Sequence, residues 1–532
     1  IEGTLEEQQF RHTTLFERDA FGRVVVERQD DRVIRFTYDA QNRRLSRELF
    51  DGTVTRYGFD REDALCEIEH AGRKLSYQRD AAGREIGRTE ASGAVAFLQE
   101  LDPMDRIIEQ RVTSVGSELA TPITRRYQYD RAGRLSRSED ARWGISSYQY
   151  DTAGNLMEAR SHGRRERFAY DPAGAIVGAL ERVGEPTAKW KLGPGNRLLE
   201  TTSHAFTFDK RGRRSSKRSK VDKSVTDYAW DVRDRLREIR QPDGSRVRMV
   251  YDAFGRRIRK VVSQGEREIR AVELVWDGDV ICAELNGRDG SRSFAHDPRG
   301  FVPLLQREGN EVFAVIVDHH GIPRELVDSA GRVAWAATFS AFGKLVEESW
   351  PRSVEASEAQ PRCPFRLLGQ YADDETGLTM TRHRYFDPEV GRWCSPDPLG
   401  IRGSRDLNGW NGAPTVELDP LGLTNEPEGG DPHHPPGLTR SDHAEIRNAE
   451  GRPVPNATND LRNARDADIF VQEDDDRFVV RGPRGREHII EQDGTHVTSL
   501  ERSNAAHLGR VRSGDRRPAT AEEAERARSL VR

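Results

Sequence analysis

A short phrase recurs along the first half of the chain: an aromatic residue, an aspartate directly after it and, in many copies, a glycine three residues after the aspartate. The clear copies are Tyr38-Asp39, Phe59-Asp60, Tyr129-Asp130, Tyr150-Asp151, Tyr170-Asp171, Phe208-Asp209, Trp230-Asp231 and Tyr251-Asp252. Neighbouring copies mostly lie 20 to 22 positions apart. A fixed period this short predicts a repeat architecture, in which each repeat packs on the next.

The residues of the phrase predict one β-hairpin for each repeat. Large apolar groups alternate with polar ones before the aspartate, as in Tyr127-Gln-Tyr129, and this places them on one face of a sheet. The aspartate caps a turn by accepting backbone N–H groups, and a glycine such as Gly133 can take the left-handed conformation that the turn needs. Because strands twist, we expect a continuous sheet of such hairpins to coil.

The composition agrees with such a sheet and excludes other classes. Charged residues make up 33% of the 532 residues and hydrophobic ones 35%, which suits sheets with one wet face. Four cysteines do not make a disulfide framework, and no apolar run approaches the roughly 20 residues of a membrane span. The net charge of -5 predicts no bulk attraction to nucleic acid. The chain starts in mid-pattern, so we expect a fragment of a longer protein.

The repeats resemble the YD repeats of RHS proteins, of the bacterial insecticidal ABC toxins and of teneurins. The resemblance covers roughly residues 11–345. It implies a mainly β fold in which the hairpins of residues 1–345 spiral into a hollow shell, and it makes the repeated aromatic residues and aspartates part of the scaffold. The polar, non-periodic stretch after Leu345 predicts a loop into the next domain.

Residues 346–423 resemble the core domain that plugs RHS shells. The matching segments are Pro364–Tyr371, Glu375–Leu378, Arg382–Pro388, Gly391–Trp393 and Ser395–Pro398. The family's next segments are altered here, to Leu407-Asn-Gly-Trp410 and Ala413-Pro414, whereas the closing Asp419-Pro-Leu-Gly-Leu423 is intact. We therefore expect the plug to be present, with Trp393 and Trp410 in its core.

The resemblance implies that this core cuts the chain after its final leucine, at Leu423–Thr424, with an aspartic-protease-like pair formed by Asp397 and Asp419. Two carboxylates that share a site cannot both ionise cheaply, so one keeps a proton and polarises the carbonyl while the other activates water. Either Arg392 or Arg382 is expected to hold one carboxylate ionised, and we name Arg392 with the pair.

After Leu423 the composition changes, and residues 424–439 predict a linker rich in Pro, Gly and acidic residues. Residues 440–532 predict a small α+β domain: a helix, a four-stranded antiparallel sheet and a closing helix. The first helix is expected at Asn459–Asp466, and the closing helix from Thr520 with Glu523 completing a capping box. The expected strands are Ile469–Gln472, Arg477–Arg481, Glu487–Ile490 and Thr495–Ser499.

Positive charge is concentrated in part of this tail. Residues 477–517 hold nine arginines and five acidic residues. The layout resembles the barnase–EndoU–colicin–RelE group of small nucleases, which implies a metal-independent ribonuclease. We expect His488 to move the proton, with Thr498, Arg484 and Arg502 on the phosphate, and no metal or cofactor.

Taken with the family, these features favour an RHS-type secreted antibacterial effector. Such a protein is made in the cytoplasm and delivered into the cytoplasm of a target cell, often by the type VI machine. Its expected partners are a cognate immunity protein, a spike or adaptor of the secretion system, and RNA. The alternatives are a DNase or an NAD-using toxin, or a structural or adhesive YD-repeat surface protein with an inert tail. A deaminase needs a His/Cys zinc site, and the tail has no cysteine.

Overall fold

The computed structural model divides the chain into two compact units, Ile1–Pro432 and His433–Arg532. The residues that the structure describes are 2–5, 8–61, 64–91, 93, 95–114, 123–161, 163–180, 188–286, 290–298, 300–351, 360–403, 406–410, 412–423, 426–427, 439–440, 461, 464–465, 468–472, 477–481, 486–491, 495–501 and 516–530. Within these residues, no helix is long and apolar enough to cross a membrane.

The first unit begins with a strand pair, β1 (Glu2–Leu5) and β2 (Gln8–Arg11), and continues as a closed barrel of strands β3 to β19, in which consecutive strands pair antiparallel. The barrel strands are β3 (Thr14–Arg18), β4 (Val24–Gln29), β5 (Arg32–Tyr38), β6 (Arg44–Glu48), β7 (Val54–Phe59), β8 (Leu65–His70), β9 (Arg73–Arg79), β10 (Glu85–Glu90), β11 (Val95–Leu101), β12 (Ile107–Ser114), β13 (Ile123–Tyr129), β14 (Leu135–Asp140), β15 (Gly144–Tyr150), β16 (Leu156–Ser161), β17 (Arg164–Tyr170), β18 (Ile176–Leu180) and β19 (Ala188–Lys189).

A second sheet of 16 strands, β20 to β35, follows in sequence order. Its strands are β20 (Lys191–Leu192), β21 (Leu198–Glu200), β22 (His204–Phe208), β23 (Arg214–Ser219), β24 (Val225–Trp230), β25 (Leu236–Arg240), β26 (Ser245–Tyr251), β27 (Arg257–Gln264), β28 (Arg267–Asp277), β29 (Val280–Asn286), β30 (Gly290–His296), β31 (Pro303–Glu308), β32 (Glu311–Val317), β33 (Pro323–Val327), β34 (Val333–Phe339) and β35 (Leu345–Ser349). A 3₁₀ turn, Pro194–Asn196, lies between its first two strands. Both sheets are the shell that the repeats predict, and the mainly β fold is confirmed.

The turn at Asp130 shows how one repeat is built. Its Oδ1 accepts the backbone N–H groups of Ala132 at 2.9 Å and Arg134 at 3.0 Å, and Gly133 has a φ of 82°. The Arg134 side chain donates to Asp130 Oδ2 at 2.8 Å and to the carbonyl oxygen of Asp151 in the next turn at 3.2 Å. The predicted aspartate cap is confirmed, and the Arg134 side chain ties this turn to the next one.

Buried polar contacts join the barrel to the second sheet. Arg47 on β6 is fully buried and donates to the carbonyl oxygen of Phe294 on β30 at 2.6 Å. Arg125 on β13 pairs with Glu325 on β33. These contacts connect residues 247 and 200 positions apart. A buried charge costs several kcal/mol if its partner is lost, so such pairs fix which strands of the two sheets face each other.

The plug, defined here as residues 360–423, contains a small sheet of β36 (Tyr371–Asp373), β37 (Leu378–Met380), β38 (Tyr385–Asp387) and β39 (Arg392–Trp393). A 3₁₀ helix, Gly400–Arg402, follows, and then the strand pair β40 (Glu417–Leu418) and β41 (Glu426–Pro427).

The apolar side chains of the plug form one cluster with those of both shell sheets. Trp393 and Trp410 stack with their ring centroids 5.9 Å apart, and both belong to this cluster, as predicted. Buried ion pairs also join the plug to the shell, since the Asp387 carboxylate accepts a hydrogen bond from Arg214 of the shell at 2.6 Å. The plug is therefore held by the shell through a shared core and buried ion pairs.

The second unit holds a six-stranded sheet in the order β42-β46-β45-β44-β43-β47. Its elements are β42 (Thr439–Arg440), β43 (Ile469–Gln472), β44 (Phe478–Arg481), β45 (Arg486–Ile490), β46 (Thr495–Glu501), β47 (Arg516–Pro518) and the helix α1 (Ala521–Ser529). The four predicted strands are confirmed, and β42 and β47 add an edge on each side. The Thr520–Glu523 capping box of α1 is confirmed as well. The predicted helix Asn459–Asp466 lies mostly outside the described residues.

Candidate active site

Asp397 stands at the start of a tight turn in the plug. Its backbone N–H donates to the carbonyl oxygen of Leu407 at 2.8 Å, and its Oδ1 accepts the N–H of Leu399 at 2.8 Å. Its carbonyl oxygen accepts the N–H of Gly400 at 2.9 Å, which opens the 3₁₀ helix. The carboxyl group is buried and held by backbone groups on one oxygen, so Oδ2 is left to face other side chains.

Asp419 occupies a second turn of the same kind. Its Oδ1 accepts the N–H of Leu423 at 2.8 Å, and its carbonyl oxygen accepts the N–H of Gly422 at 3.4 Å. The backbone of this turn is also held by another part of the plug, because His383 donates its backbone N–H to the carbonyl oxygen of Leu421 at 3.0 Å. The segment that carries the predicted cut is thus fixed at its amino-terminal side by the plug itself.

Arg384 brings the two turns together. Its Nη2 atom lies 3.0 Å from Asp397 Oδ2 and 3.0 Å from Asp419 Oδ2, and all three side chains are almost completely buried. The contact to Asp419 is a hydrogen bond, and Arg384 Nε also donates to the carbonyl oxygen of Gly422 at 2.5 Å. The guanidinium stacks 4.2 Å above the Trp393 ring. One cation therefore serves two carboxyl groups and the backbone next to Leu423.

This arrangement favours a shared proton. Burial raises the pKa of Asp419 to about 6, although Arg384 opposes the shift, and burial raises the pKa of Asp397 in the same direction. Removing two carboxylates from water beside a single cation leaves one negative charge uncompensated. Since the two groups interact, the proton bound near pH 6 belongs to the pair rather than to either aspartate alone.

The carbonyl oxygen of Leu423 lies beside Asp397. Both it and Asp397 Oδ1 crowd the Cα of Gly403: a Cβ placed on that residue would lie 2.6 Å from Asp397 Oδ1 and closer still to the Leu423 oxygen. Thr424, on the other side of the predicted cut, lies outside the described residues. The carbonyl oxygen of the predicted scissile bond and Asp397 Oδ1 thus border the same small space next to Gly403.

A cleft of about 450 Å³ reaches the pair from one side. Its walls are plug residues 380–385 and 395–398 and shell-turn residues that include Arg233–Leu236 and Ala253–Gly255. Asp397 and Arg384 line it. Among the described residues, no donor makes a hydrogen bond to Asp397 Oδ2. The cleft offers a route by which water can approach Asp397, whereas Asp419 is not among its lining residues.

The arginine assignment made from the sequence needs correction. Arg392 pairs with Asp406 at 2.8 Å and donates to the carbonyl oxygen of Ile176 on the shell at 2.8 Å. The alternative, Arg382, pairs with Asp279 at 3.0 Å. The residue on the two aspartates is Arg384, which lies two positions from Arg382. Spacing could not separate these arginines, because Arg382 and Arg384 lie two positions apart in the turn between β37 and β38, and only the folded turn decides which of them faces the aspartates.

Of the residues predicted for a site in the second unit, the structure describes the side chain of His488 alone. His488 on β45 is fully buried and faces Val480 of β44, which belongs to the core that α1 covers. In the backbone register Thr498 of β46 pairs with Ile489, and His488 pairs with Ser499. Arg484 and Arg502 lie outside the described residues. The joint His488–Thr498 site stays a prediction: the two residues are not a cross-strand pair, and the side chain of Thr498 is not among those that the structure describes.

A polar cluster that the sequence reading missed lies on the opposite face from His488. Glu487 pairs with Arg516 of β47 at 2.8 Å, and Arg481 Nε lies 3.6 Å from the same carboxyl group. Glu487 and Arg516 are fully buried. The alternation of Glu487 and His488 along β45 could have indicated this face, but the partner strand β47 was not expected.

Comparisons with known proteins agree with this architecture. The family model described as Teneurin YD-shell matches residues 99–402, more than half of the chain. "Double-stranded DNA deaminase toxin A" of Burkholderia cenocepacia (strain H111) is 29% identical over 446 residues, which cover 77% of this chain and 30% of that protein. "Toxin protein Tse5" of Pseudomonas aeruginosa (strain PAO1) is 32% identical over 422 residues, covering 66% of this chain and 31% of that protein.

Among solved structures, "Crystal Structure of TcdB2-TccC3" has a TM-score of 0.63 at 17% identity, and the match covers 76% of this chain and 24% of that one. At that identity the likeness concerns the fold. The chain spans about a third of the length of the two curated relatives that it matches.

Proposed function

We propose the following function from the premise that this chain belongs to the Teneurin YD-shell family and is an RHS/YD-repeat protein. The chain is the shell of a polymorphic toxin, and its plug cuts the backbone between Leu423 and Thr424. The observation that carries the proposal is the pair of buried carboxyl groups, Asp397 and Asp419, on the single cation of Arg384, with the Leu423 carbonyl oxygen alongside.

The geometry assigns a role to each aspartate. Asp397 lies beside the Leu423 oxygen, so it carries the shared proton and donates it in a hydrogen bond to that oxygen. Asp419 accepts from Arg384 and stays ionised, so it takes a proton from water as the water oxygen attacks the carbonyl carbon of Leu423. The proton of Asp397 steadies the negative charge that develops on the carbonyl oxygen.

The second half of the reaction reverses the proton movements. As the tetrahedral carbon collapses, Asp397 recovers its proton from the oxygen, and Asp419 gives its proton to the nitrogen of Thr424. The C–N bond breaks, leaving a carboxyl group on Leu423 and an amino group on Thr424. Arg384 remains charged throughout, and it anchors the Gly422 carbonyl so that the scissile carbonyl does not drift from the pair.

A denaturing gel tests this reaction. The parent chain should yield a fragment that begins at Thr424, identified by amino-terminal sequencing, whereas Asp397→Asn and Asp419→Asn should each leave the chain at full length. If both variants still release the fragment, another group performs the cut and the proposal is wrong.

For the tail we propose a released, metal-independent ribonuclease. The nine arginines among residues 477–517 support this proposal, because guanidinium groups bind phosphate well. His488 lies in the α1-covered core, and Glu487 is fully buried and paired with Arg516, so we name no residue of this unit for proton transfer. The Burkholderia relative is named a DNA deaminase toxin, but this tail has no cysteine for a zinc site of that kind.

The same proposal includes delivery into the cytoplasm of a target cell by a secretion-system spike or adaptor, and a cognate immunity protein that protects the producer. Expression of residues 424–532 in bacteria separates the possibilities, since His433–Arg532 is a compact unit with its own apolar core. A ribonuclease should stop growth and fragment total RNA. Growth arrest with intact RNA would favour a DNase or NAD-using toxin, and normal growth would favour a structural or adhesive protein.

A further inference from the structure

Gly403 ends the 3₁₀ helix that follows Asp397, and its backbone does not need glycine. Its φ of -86° and ψ of -38° lie in the right-handed helical region, which alanine adopts readily. Glycines with positive φ, such as Gly400 at 62°, are different, because there a side chain strains the backbone. The backbone conformation therefore does not explain why residue 403 is glycine, and the atoms around it do.

Those surroundings are two oxygens of the proposed reaction. A Cβ on Gly403 would lie 2.6 Å from Asp397 Oδ1 and 2.7 Å from Asp397 Cγ, and it would lie even closer to the carbonyl oxygen of Leu423. Real Cβ atoms do not approach neighbours this closely, so one of the two groups would have to move. The Asp397 carboxyl group is held by Leu399, and the Leu423 backbone is held by Asp419, so neither moves without losing a hydrogen bond.

We infer that Gly403 is a positioning residue for the self-cleavage proposed above: its missing side chain creates the space in which the Leu423 carbonyl docks against the Asp397 carboxyl group. The inference rests on that proposed function. Gly403 does not contact the proton that moves. It sets only the distance between the Asp397 carboxyl group and the bond that is cut. A shift of about 1 Å between reacting groups costs on the order of 100-fold in rate.

The plug contains a matched control. Gly409 has no positive φ either, and a Cβ placed there would lie 2.5 Å from Asp406 Oδ2 and 2.6 Å from Asp406 Cγ. Asp406 pairs with Arg392, away from the proposed catalytic pair. Gly403→Ala and Gly409→Ala therefore make the same kind of collision with an aspartate carboxyl group in the same domain, but only Gly403→Ala also reaches Leu423.

The experiment follows the fraction of full-length chain with time for the parent, Gly403→Ala and Gly409→Ala. We expect Gly403→Ala to slow the cut by about 100-fold or more and Gly409→Ala to cut at nearly the parent rate. Thermal unfolding of both variants is compared in an Asp419→Asn background, where every chain is uncut, and comparable midpoints are expected. The residual cleavage rate of Gly403→Ala should have the same pH dependence as the parent rate, because Arg384 and Asp419 stay in place. If the plug were instead loosened and hydrated, the pH dependence of the cleavage rate would shift.

Three results would overturn the inference: parental cleavage in Gly403→Ala, equal loss of cleavage in Gly409→Ala, or a Gly403→Ala chain that does not fold, which would make the glycine a stability residue. The proposed function fails separately. If Asp397→Asn and Asp419→Asn both cut normally, the aspartate mechanism is wrong whatever Gly403→Ala does. If both aspartate variants are uncut and Gly403→Ala cuts normally, only the role of Gly403 is wrong.

Discussion

The shell and the plug use the same aspartate turn for opposite purposes. In the shell, Asp130 accepts two backbone N–H groups and pairs with Arg134, four positions later. In the plug, Asp397 and Asp419 also accept backbone N–H groups, but neither has an arginine of its own, and both depend on Arg384.

The protonation of the two kinds of turn differs accordingly. Burial opposes ionisation at Asp130, but the hydrogen bonds from Arg134 and the backbone hold the pKa of Asp130 below its ordinary value. Burial raises the pKa of Asp419 to about 6. One cation for each carboxylate gives an inert scaffold, whereas one cation for two carboxylates leaves a proton available near neutral pH.

The largest expected effect comes from the same substitution at both kinds of turn. Asp397→Asn should lower the rate of self-cleavage by about 10² to 10⁴, the usual contribution of a general acid or base. Asp130→Asn should leave the cut unchanged, because its carboxyl group only caps a turn. Quantitative gels at several times after synthesis measure both. Loss of cleavage in Asp130→Asn would mean that the shell turns take part and that the comparison fails.

Removal of the arginine should also separate the two regions. Arg384→Gln leaves two buried carboxyl groups without a cation, so we expect loss of cleavage and a decrease in unfolding free energy of about 3 kcal/mol. Arg134→Gln removes a pair that is 23% and 27% exposed, so it should cost at most about 1 kcal/mol and leave cleavage intact. Denaturant unfolding of the two variants tests this, and equal losses of stability would contradict it.

The pH dependence should come from the plug alone. Cleavage needs the one proton that the two carboxyl groups share, so its rate should fall as the coupled pair loses that proton, near the value of about 6 to which burial raises the pKa of Asp419. Because folding raises the pKa of Asp419, this group contributes to the free energy of unfolding at pH values below the ordinary aspartate pKa. The contribution is lost as pH rises through about 6. Folding lowers the pKa of Asp130, so this group contributes to the free energy of unfolding at pH values above the ordinary aspartate pKa and loses that contribution only in acid. A rate that is flat between acid and neutral pH would contradict the shared proton.

The smallest expected effect comes from converting a plug turn into a shell turn. Ile401 is four positions after Asp397, as Arg134 is after Asp130, and it is 85% exposed. Ile401→Arg should lower the pKa of Asp397 and slow cleavage at neutral pH by about tenfold, the equivalent of one pKa unit. Ile401→Gln is the uncharged control and should cut at the parental rate. Equal rates for the two variants would show that a nearby arginine alone does not make the turn inert.

Much of the fold was predictable because its information is local. The hairpins, the aspartate caps and the left-handed glycine at position 133 follow from residues within four positions of one another. The Asp397–Asp419 pair was named from a family resemblance, and the structure brings both carboxyl groups to one cation. The arginine was not predictable, since Arg384 and Asp419 are 35 positions apart and two other arginines stand near them in sequence.

The second unit shows the same limit. The positions of β43 and β45 followed from alternation, but the partner of Glu487 is Arg516, which is 29 positions away on a strand that the pattern did not reveal. The faces of β46 depend on one register shift between Ile489 and Ile490, and a shift of one residue exchanges the two faces of a strand.

The sequence by itself determined the turns, the strands and the aspartates, because a hydrogen bond from an aspartate to a backbone two or four residues away needs no distant partner. The tertiary structure decided which arginine the two aspartates share, and it decided that glycine at 403 borders the Leu423 carbonyl. Those contacts exist only when distant segments of the plug fold together, since burial and the approach of these groups set the charge balance and the spacing on which the proposed chemistry depends.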